Sequence, residues 1–212
     1  MALLNLFFPK RCLSCKREGQ HLCEDCLSLI SVSGKPSLLP ARSAMSGLFC
    51  ATSFEDPLVQ QMVRHVKYPP FLRDLAKPLA FLIVSHFAIR NNNFYTPHLL
   101  CPVPLHKKRL KWRGYNHSEE IAGHLSSAWD IPSEPRTLIR TKHTSPQVEL
   151  SKEKRQNNIA GAFAAPNPGF LAGKTVFLVD DVYTTGATME EAAQTLKKSG
   201  AKAVYGVCVA RG

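Results

Sequence analysis

The chain has 212 residues, 44% of them hydrophobic and 20% charged, which excludes a disordered or fibrous protein and suits one α/β domain with at most a small appendage. Its 27 Lys and Arg against 16 Asp and Glu leave a formal net charge of +11, an excess that points to an anionic partner: a phosphorylated metabolite, a nucleic acid or an anionic membrane. A basic surface that serves only solubility is the plain alternative.

The first residues, "MALLNLFFPKRC", have no basic segment ahead of the apolar run and no small-residue cleavage site, so a cytoplasmic protein is expected. Two C-x-x-C pairs follow, Cys12 with Cys15 and Cys23 with Cys26, separated by seven residues. Four thiolates in so short a stretch suit tetrahedral Zn²⁺, and a metal would order a segment too small to make its own core. His21 is a substitute ligand in reserve. A redox C-x-x-C needs a βαβ context that these residues do not supply. Cys50, Cys101 and Cys208 stand singly among apolar neighbours and read as core.

The stretch 27–47, punctuated by Gly, Pro and Ser, reads as a connector. "DPLVQQMVRHVKY" predicts a helix capped by Asp56, with Leu58, Met62, Val63 and Val66 on one face. "PPF" ends it. "PLAFLIVSHFAI" predicts a packed helix, too short to span a bilayer, with Leu75, Leu79, Leu82, Ile83 and Phe87 near helical spacing. "HLLCPVPLH" reads as a buried strand, "NHSEEIAGHLSSAW" as a helix with Ile121, Leu125 and Trp129 on one side, and "RTLIRT" as a short strand. "KTVFLVDD" is a strand, "MEEAAQTLKKSG" a helix closed by Gly200, and "AVYGVCVA" a last strand. Alternation of this kind implies parallel strands covered on both faces, with ligands bound beyond their carboxyl ends. The expected organisation is a Cys₄ module over 1–35, a helical linker or hood over 36–95 and a core over 96–212.

The chemistry concentrates in "VFLVDDVYTTGAT", Val176 to Thr188. The strand ends in Asp180 and Asp181, a small hydroxyl-rich turn follows, and a helix starts near Thr188. Unpaired amides at that helix start, with Thr184, Thr185 and Thr188, suit a phosphate, and Gly186 allows close approach or positive φ. Aspartates cannot bind that phosphate, but they can accept from two neighbouring sugar hydroxyls or hold Mg²⁺ through water. The mixture describes one ligand, a ribose 5-phosphate. "GFLAGKT", Gly169 to Thr175, is one residue short of an ATPase phosphate loop and leads into a strand, so it is set aside.

This stretch resembles the 5-phosphoribosyl 1-diphosphate (PRPP) motif of type I phosphoribosyltransferases, with Tyr183 where a smaller residue is common, placed to stack on or cover the ligand. With the Cys₄ module, "PVPLHKKRLKWRGYNHSEEIAGHL" and "QVELSKEKRQNNIAGAF", the chain resembles the ComF family of competence proteins from Cys12 to about Ala210. The resemblance implies a type I phosphoribosyltransferase-like parallel sheet with flanking helices and an N-terminal zinc knuckle. It implies PRPP binding, with Mg²⁺, by Asp180, Asp181, Val182, Tyr183, Thr184, Thr185, Gly186, Ala187 and Thr188, the two aspartates being the catalytic pair. It also implies a role in handling single-stranded DNA during natural transformation, with a competence helicase or other DNA-uptake protein as partner.

His106, Lys107, Lys108, Arg109 and Arg113 stand where that fold places its pyrophosphate loop, and cations there stabilise a diphosphate leaving group. The basic run from Arg136 to Arg155, with Arg140, Lys142, Lys152 and Lys154, stands where a mobile loop closes over PRPP. Lys108, Arg109, Lys111, Trp112, Arg113 and Tyr115, beside His117, are equally what a single-strand binder uses, stacking being worth roughly 1–3 kcal/mol per base. A solvated loop with a core Trp is the plain reading. No C-terminal acceptor hood is expected, since the last strand is near Gly212, and residues before about Thr96 show no base-reading pattern. Three functions stay open: a PRPP-binding protein that handles single strands, a metabolic phosphoribosyltransferase acting on an amine or base, and a PRPP-sensing regulatory module.

Overall fold

The computed structural model of the chain describes residues 9–33, 37–90, 97–142 and 159–212. Four parallel strands make the central sheet, in the order β1-β6-β5-β2: β1 (Gly47–Ser53), β2 (Leu99–Pro102), β5 (Thr175–Tyr183) and β6 (Ala203–Arg211). A short antiparallel ribbon, β3 (Ile139–Arg140) with β4 (Phe163–Ala164), stands apart from it. "RTLIRT" is therefore a strand, but not a member of the parallel sheet.

Alternation along β5 divides the core. Phe177 and Val179 belong to the layer under α2 (Pro57–Lys67), α3 (Ala76–Ile89) and α5 (His117–Trp129), while Val176 and Leu178 belong to the layer under α6 (Ala187–Lys198). The helices form where periodicity predicts them. Asp56 caps α2 by accepting from the amides of Leu58 and Val59, and Val59, Met62, Val63 and Val66 are its buried face. Leu75, Leu79, Leu82, Ile83 and Phe87 are all buried along α3, whose Pro78 sits in the first turn, where no amide donor is needed. Cys50, Cys101 and Cys208 are buried in the second layer.

One reading is corrected, and one segment gains an element. Within 36–95 lies a strand as well as helices: β1 pairs with β6 from Gly47 opposite Tyr205 to Ser53 opposite Arg211 and forms one edge of the core sheet. The last residues of "VFLVDDVY" are strand, not turn: Val182 pairs with Ala210 and Tyr183 with Arg211, since β6 runs on to meet them. "GFLAGKT" makes a 3₁₀ turn (Pro168–Leu171) and then enters β5 at its amino end, away from the strand ends that carry the aspartates.

Because all four strands run the same way, their carboxyl ends share one rim, and the helices that start and finish there furnish a common mouth. The N-terminal segment packs on the same body. Cys12, Leu22, Cys23 and Cys26 join the layer under α3, with the short α1 (Glu24–Ser28) beside them. Asp74 accepts from Lys10 Nζ at 2.7 Å and pairs with His21 Nδ1 at 2.8 Å.

Phe177 lies at the centre of the first layer, 1% exposed, with the rings of Phe49, Phe87, Trp129 and Tyr205 at 6.0–6.2 Å between centroids. Phe177→Ala should destabilise the fold by about 3–5 kcal/mol, as buried aromatic truncations do, measured by urea denaturation; a loss below about 1 kcal/mol would contradict this packing.

Candidate functional site

The rim encloses a cavity of about 570 Å³. Its floor is the end of β5 and the turn after it. Gly186 caps α6 with φ 78°, a left-handed conformation that a side chain resists. Space requires glycine as well, since an added Cβ would collide with the hydroxyl end of the Tyr183 ring. Tyr183 is buried, packed against the turn with the Arg211 guanidinium 5.7 Å from its ring centre, so it supports the loop from within. Burial also raises its phenol pKa. Thr184, Thr185, Gly186, Ala187, Thr188 and Met189 line the cavity. The Thr185 hydroxyl oxygen is buried there without a hydrogen-bond partner among the described residues. Acidic side chains hold α6 from outside: Glu190 accepts from the Ser43 hydroxyl and the Ala44 amide, and Glu191 from the Gly161 amide.

Asp180 and Asp181 project from adjacent strand positions and meet different partners. Asp181 is 2% exposed. Its Oδ1 accepts from the Val182 amide at 2.8 Å, and its Oδ2 lies 2.6 Å from Lys67 Nζ and 3.4 Å from His117 Nε2. Arg113, itself buried, reaches His117 Nδ1 at 2.6 Å. A guanidinium can only donate, so Nδ1 accepts and the ring proton sits on Nε2, facing Asp181. Burial works against ionisation of Asp181, but Lys67 and His117 outweigh it and hold the carboxyl well below the usual range. Asp180 is the more open of the two. Its Oδ1 accepts from the Ser118 hydroxyl at 2.9 Å and from the Asp181 amide at 3.0 Å. Burial first, then the charge of Asp181, push its pKa up. Two neighbouring carboxylates thus differ in proton affinity because only one has a cation against it.

The basic segment is a helix, not a loop: α4 (Lys107–Arg113), started by His106, whose Nδ1 accepts from the Lys108 amide, and ended by Gly114 at φ 83°. Lys, Arg and Leu, none of them branched at Cβ, are good helix formers, and the flanking caps define the ends. Helical geometry then sorts the residues. Arg109, Trp112 and Arg113 line the cavity, and Arg140 of β3 joins them. Burial, with Arg109 nearby, pushes Arg140 down to about 10. Lys107, Lys108 and Lys111 are exposed outside the cavity, and His106 is buried beneath. Tyr115 is not in the cavity: its hydroxyl donates to the Val66 carbonyl at 2.7 Å and Arg73 covers its ring. The other end of the basic run, residues 143–158 with Lys152, Lys154 and Arg155, lies outside the described residues.

Lys67, Ser118, Phe54 and Tyr68 also line the cavity and were not singled out by the sequence, where no spacing links Lys67 to a carboxylate 114 positions on. His117 entered only as a companion of the aromatics. The one local signal was "NHS" at a helix start, where the Asn116 side chain accepts from the Ser118 amide and turns His117 and Ser118 toward β5.

A second cluster lies in the N-terminal segment. The sulfurs of Cys12, Cys15, Cys23 and Cys26 all lie within 4.8 Å of one another, with Cys15 and Cys23 at 3.5 Å. Tetrahedral sulfur at 2.3 Å from a metal implies edges of about 3.8 Å, so the four could hold an ion. Amides of Cys23, Cys15 and Ser14 point at the Cys12 sulfur and, against burial, bring its pKa down to about 6, which favours the thiolate. His21 is committed to Asp74 and takes no part. In the cavity, His117, Asp180 and Asp181 also approach within 4.8 Å of one another. The carboxylates fit a hard cation such as Mg²⁺; the imidazole does not.

Residues 114–212 match the phosphoribosyl transferase domain. Competence protein F of Haemophilus influenzae is 37% identical over 133 residues, which cover 62% of this chain and 57% of that protein. DNA utilization protein YhgH of Salmonella typhi is 30% identical over 211 residues, covering 94% of this chain and 88% of the relative. The chain therefore spans just over half of the first relative and most of the second. Purine phosphoribosyltransferase from Pyrococcus horikoshii Ot3 is a distant structural neighbour, 22% identical with a TM-score of 0.39, covering 64% of this chain and 72% of that one.

Removing the cation tests the carboxylate geometry. In Lys67→Met the Asp181 titration, followed by carboxyl ¹³C NMR, should move up toward the ordinary range. In the native protein the folded pKa lies below the unfolded one, so the stability it contributes is present above about pH 4 and is lost as pH falls through the folded pKa. The variant should lose that acid resistance; an unmoved titration would show that Lys67 does not hold Asp181.

Proposed function

We propose a function on one premise: the chain belongs to the ComF family, that of competence protein F and DNA utilization protein YhgH, and has the type I phosphoribosyltransferase fold. Its cavity binds PRPP with Mg²⁺, its four cysteines hold a structural Zn²⁺, and the protein uses this platform to handle single-stranded DNA.

The observation that carries this reading is the convergence of opposite chemistries in one cavity. Anion donors at the start of α6, carboxylates at the end of β5 and three guanidiniums line the same cavity. A ribose with a phosphoryl group at each end is complementary to that combination. In this assignment the 5-phosphate takes the turn from Thr184 to Thr188. Asp180 and Asp181 accept from the ribose hydroxyls, and the diphosphate meets Arg109, Arg113 and Arg140. Mg²⁺, when bound, would neutralise charge on the diphosphate. The protein's own part is to hold Asp181 ionised through Lys67 and His117, and to orient Asp180 through Ser118.

Support for DNA comes from the exposed Lys107, Lys108 and Lys111 on α4 and from the names of the relatives. Cations along one helix face suit a phosphate backbone, and Trp112, 56% exposed, suits a base. For the cysteines, the support is four sulfurs at metal spacing within one short segment.

Calorimetry with PRPP and Mg²⁺, repeated with oligo-dT, tests both ligands on one sample. Asp180→Asn with Asp181→Asn should weaken PRPP at least tenfold. Lys108→Glu with Arg109→Glu should weaken oligo-dT, whose affinity should fall steeply with salt, log K dropping by roughly 0.7 per log unit of salt for each phosphate neutralised. Absence of PRPP binding overturns the reading of the cavity, and salt-insensitive or absent DNA binding overturns that of the helix. Pyrophosphate release with one amine or nucleobase would redirect the assignment to a metabolic transferase.

For the cysteines, one equivalent of zinc should co-purify with the chain. Chelation, or Cys12→Ser, should lower the melting temperature; a metal-free protein of unchanged stability would refute a structural zinc.

A further inference from the structure

The two ligands of the proposed function are drawn to one place. Arg109 and Trp112, the residues of α4 that suit a nucleic acid, are also residues of the cavity that suits a ribose phosphate. We infer that PRPP and the 5′-terminal nucleotide of a single DNA strand occupy this cavity in turn and exclude each other. The inference rests on the ligand assignments just made and adds how they are coupled.

Three observations lead there. The first is a fixed aromatic wall. Trp112 meets the ring of Phe71 edge-on, 5.1 Å between centroids at 82°, and that of Tyr68 at 6.5 Å and 66°. Trp112 remains 56% exposed and Tyr68 45%, and both line the cavity. These contacts hold the indole while more than half of it stays exposed, leaving a surface on which a planar base can stack. Tyr68 directly follows Lys67, the cation on Asp181, so wall and carboxylates are set by the same end of α2.

The second is what accompanies the indole. Arg109, Arg113 and Arg140 line the same cavity, and guanidiniums can meet the phosphate of a nucleotide whose base lies on Trp112. Stacking accepts any base by its flat face, which suits a strand of any sequence.

The third is the way out. Lys107, Lys108 and Lys111 are exposed on the same helix, outside the cavity. A strand whose terminal phosphate lies in the turn at Gly186 and whose first base lies on Trp112 can continue across these lysines. A DNA terminus lacks the ribose diol that Asp180 and Asp181 would accept from PRPP, so it is held by phosphate and stacking alone. PRPP therefore displaces it.

The test is fluorescence anisotropy of a 5′-phosphorylated dT₁₂, labelled at its 3′ end, titrated with the full-length protein at constant ionic strength and Mg²⁺. Increasing PRPP should raise the apparent Kd in proportion to 1 + [PRPP]/Kd of PRPP. Thymidine 5′-monophosphate, which mimics the terminal residue, should compete in the same way. The 5′-hydroxyl oligonucleotide should bind at least fivefold more weakly, and Trp112→Ala should weaken the phosphorylated strand about tenfold. If PRPP and dT₁₂ both bind but leave each other's Kd within twofold, or if the two oligonucleotides bind equally, exclusion is wrong while the assignment of each ligand stands. If calorimetry shows that PRPP itself does not bind, the underlying reading has failed instead.

Discussion

The site is organised around one buried charge. Asp181 is nearly inaccessible at the end of a central strand, and an ion in such a place costs several kcal/mol unless opposite charge and donors surround it. The fold answers with an amide from its own strand, Lys67 from the end of α2 and His117 from the start of α5. His117 is in turn fixed by Arg113 at the end of α4. Three helices that share no local sequence are therefore tied to one carboxylate. Their termini, which carry Tyr68, Trp112 and Ser118, come to the cavity because that charge must be compensated.

Opposite constraints hold the other side of the cavity. The turn at Gly186 must be bare, because the Tyr183 ring fills the space a side chain would need. An aromatic residue there trades freedom in the turn for support beneath it, and Tyr183 in the last strand position lets β5 and β6 run together to Arg211. Glu190 and Glu191 then tie the first turns of α6 to residues 43–44 and 161. Because acidic residues are used on the outside of α6 and amides and hydroxyls on the inside, the helix start keeps its positive end turned to the cavity.

The difference between what could and could not be read from the chain follows from range. Asp56, the apolar face of α2 and the run from Leu75 to Phe87 are local patterns, and the structure has the expected helices. The motif from Val176 to Thr188 is also local, and its strand, turn and helix lie in the expected order. By contrast, "GLFCATS" is a strand because β6 is there to pair with it. Its neighbours read as connector, and nothing in the seven residues alternates strongly enough to announce an edge. Helix α4 was hidden by its charge: clustered cations suggest a solvated loop, whereas side chains without Cβ branching between His106 and Gly114 satisfy a helix equally well. Lys67 was illegible for a third reason. Its partner is chosen by the crossover that brings α2 over β5, and no pattern within α2 distinguishes it from Arg64, which lies on the exposed side.

The net charge of +11 is likewise explained by position more than by number. Of the cations on or near α4, Arg109, Arg113 and Arg140 line the cavity, and burial with the charge of Arg109 makes Arg113 and Arg140 costly there. Asp180 and Asp181 offset only part of that charge, and both are already engaged by protein groups. An anion of more than one charge would relieve the remainder, and relief of this kind is itself a source of affinity. The N-terminal module bears on the same balance from a distance. Lys10 and His21 bind Asp74 just ahead of α3, while Cys12, Cys23 and Cys26 share the layer that covers α2. A metal that orders the four cysteines would thereby steady α2, and with it the lysine that keeps Asp181 charged.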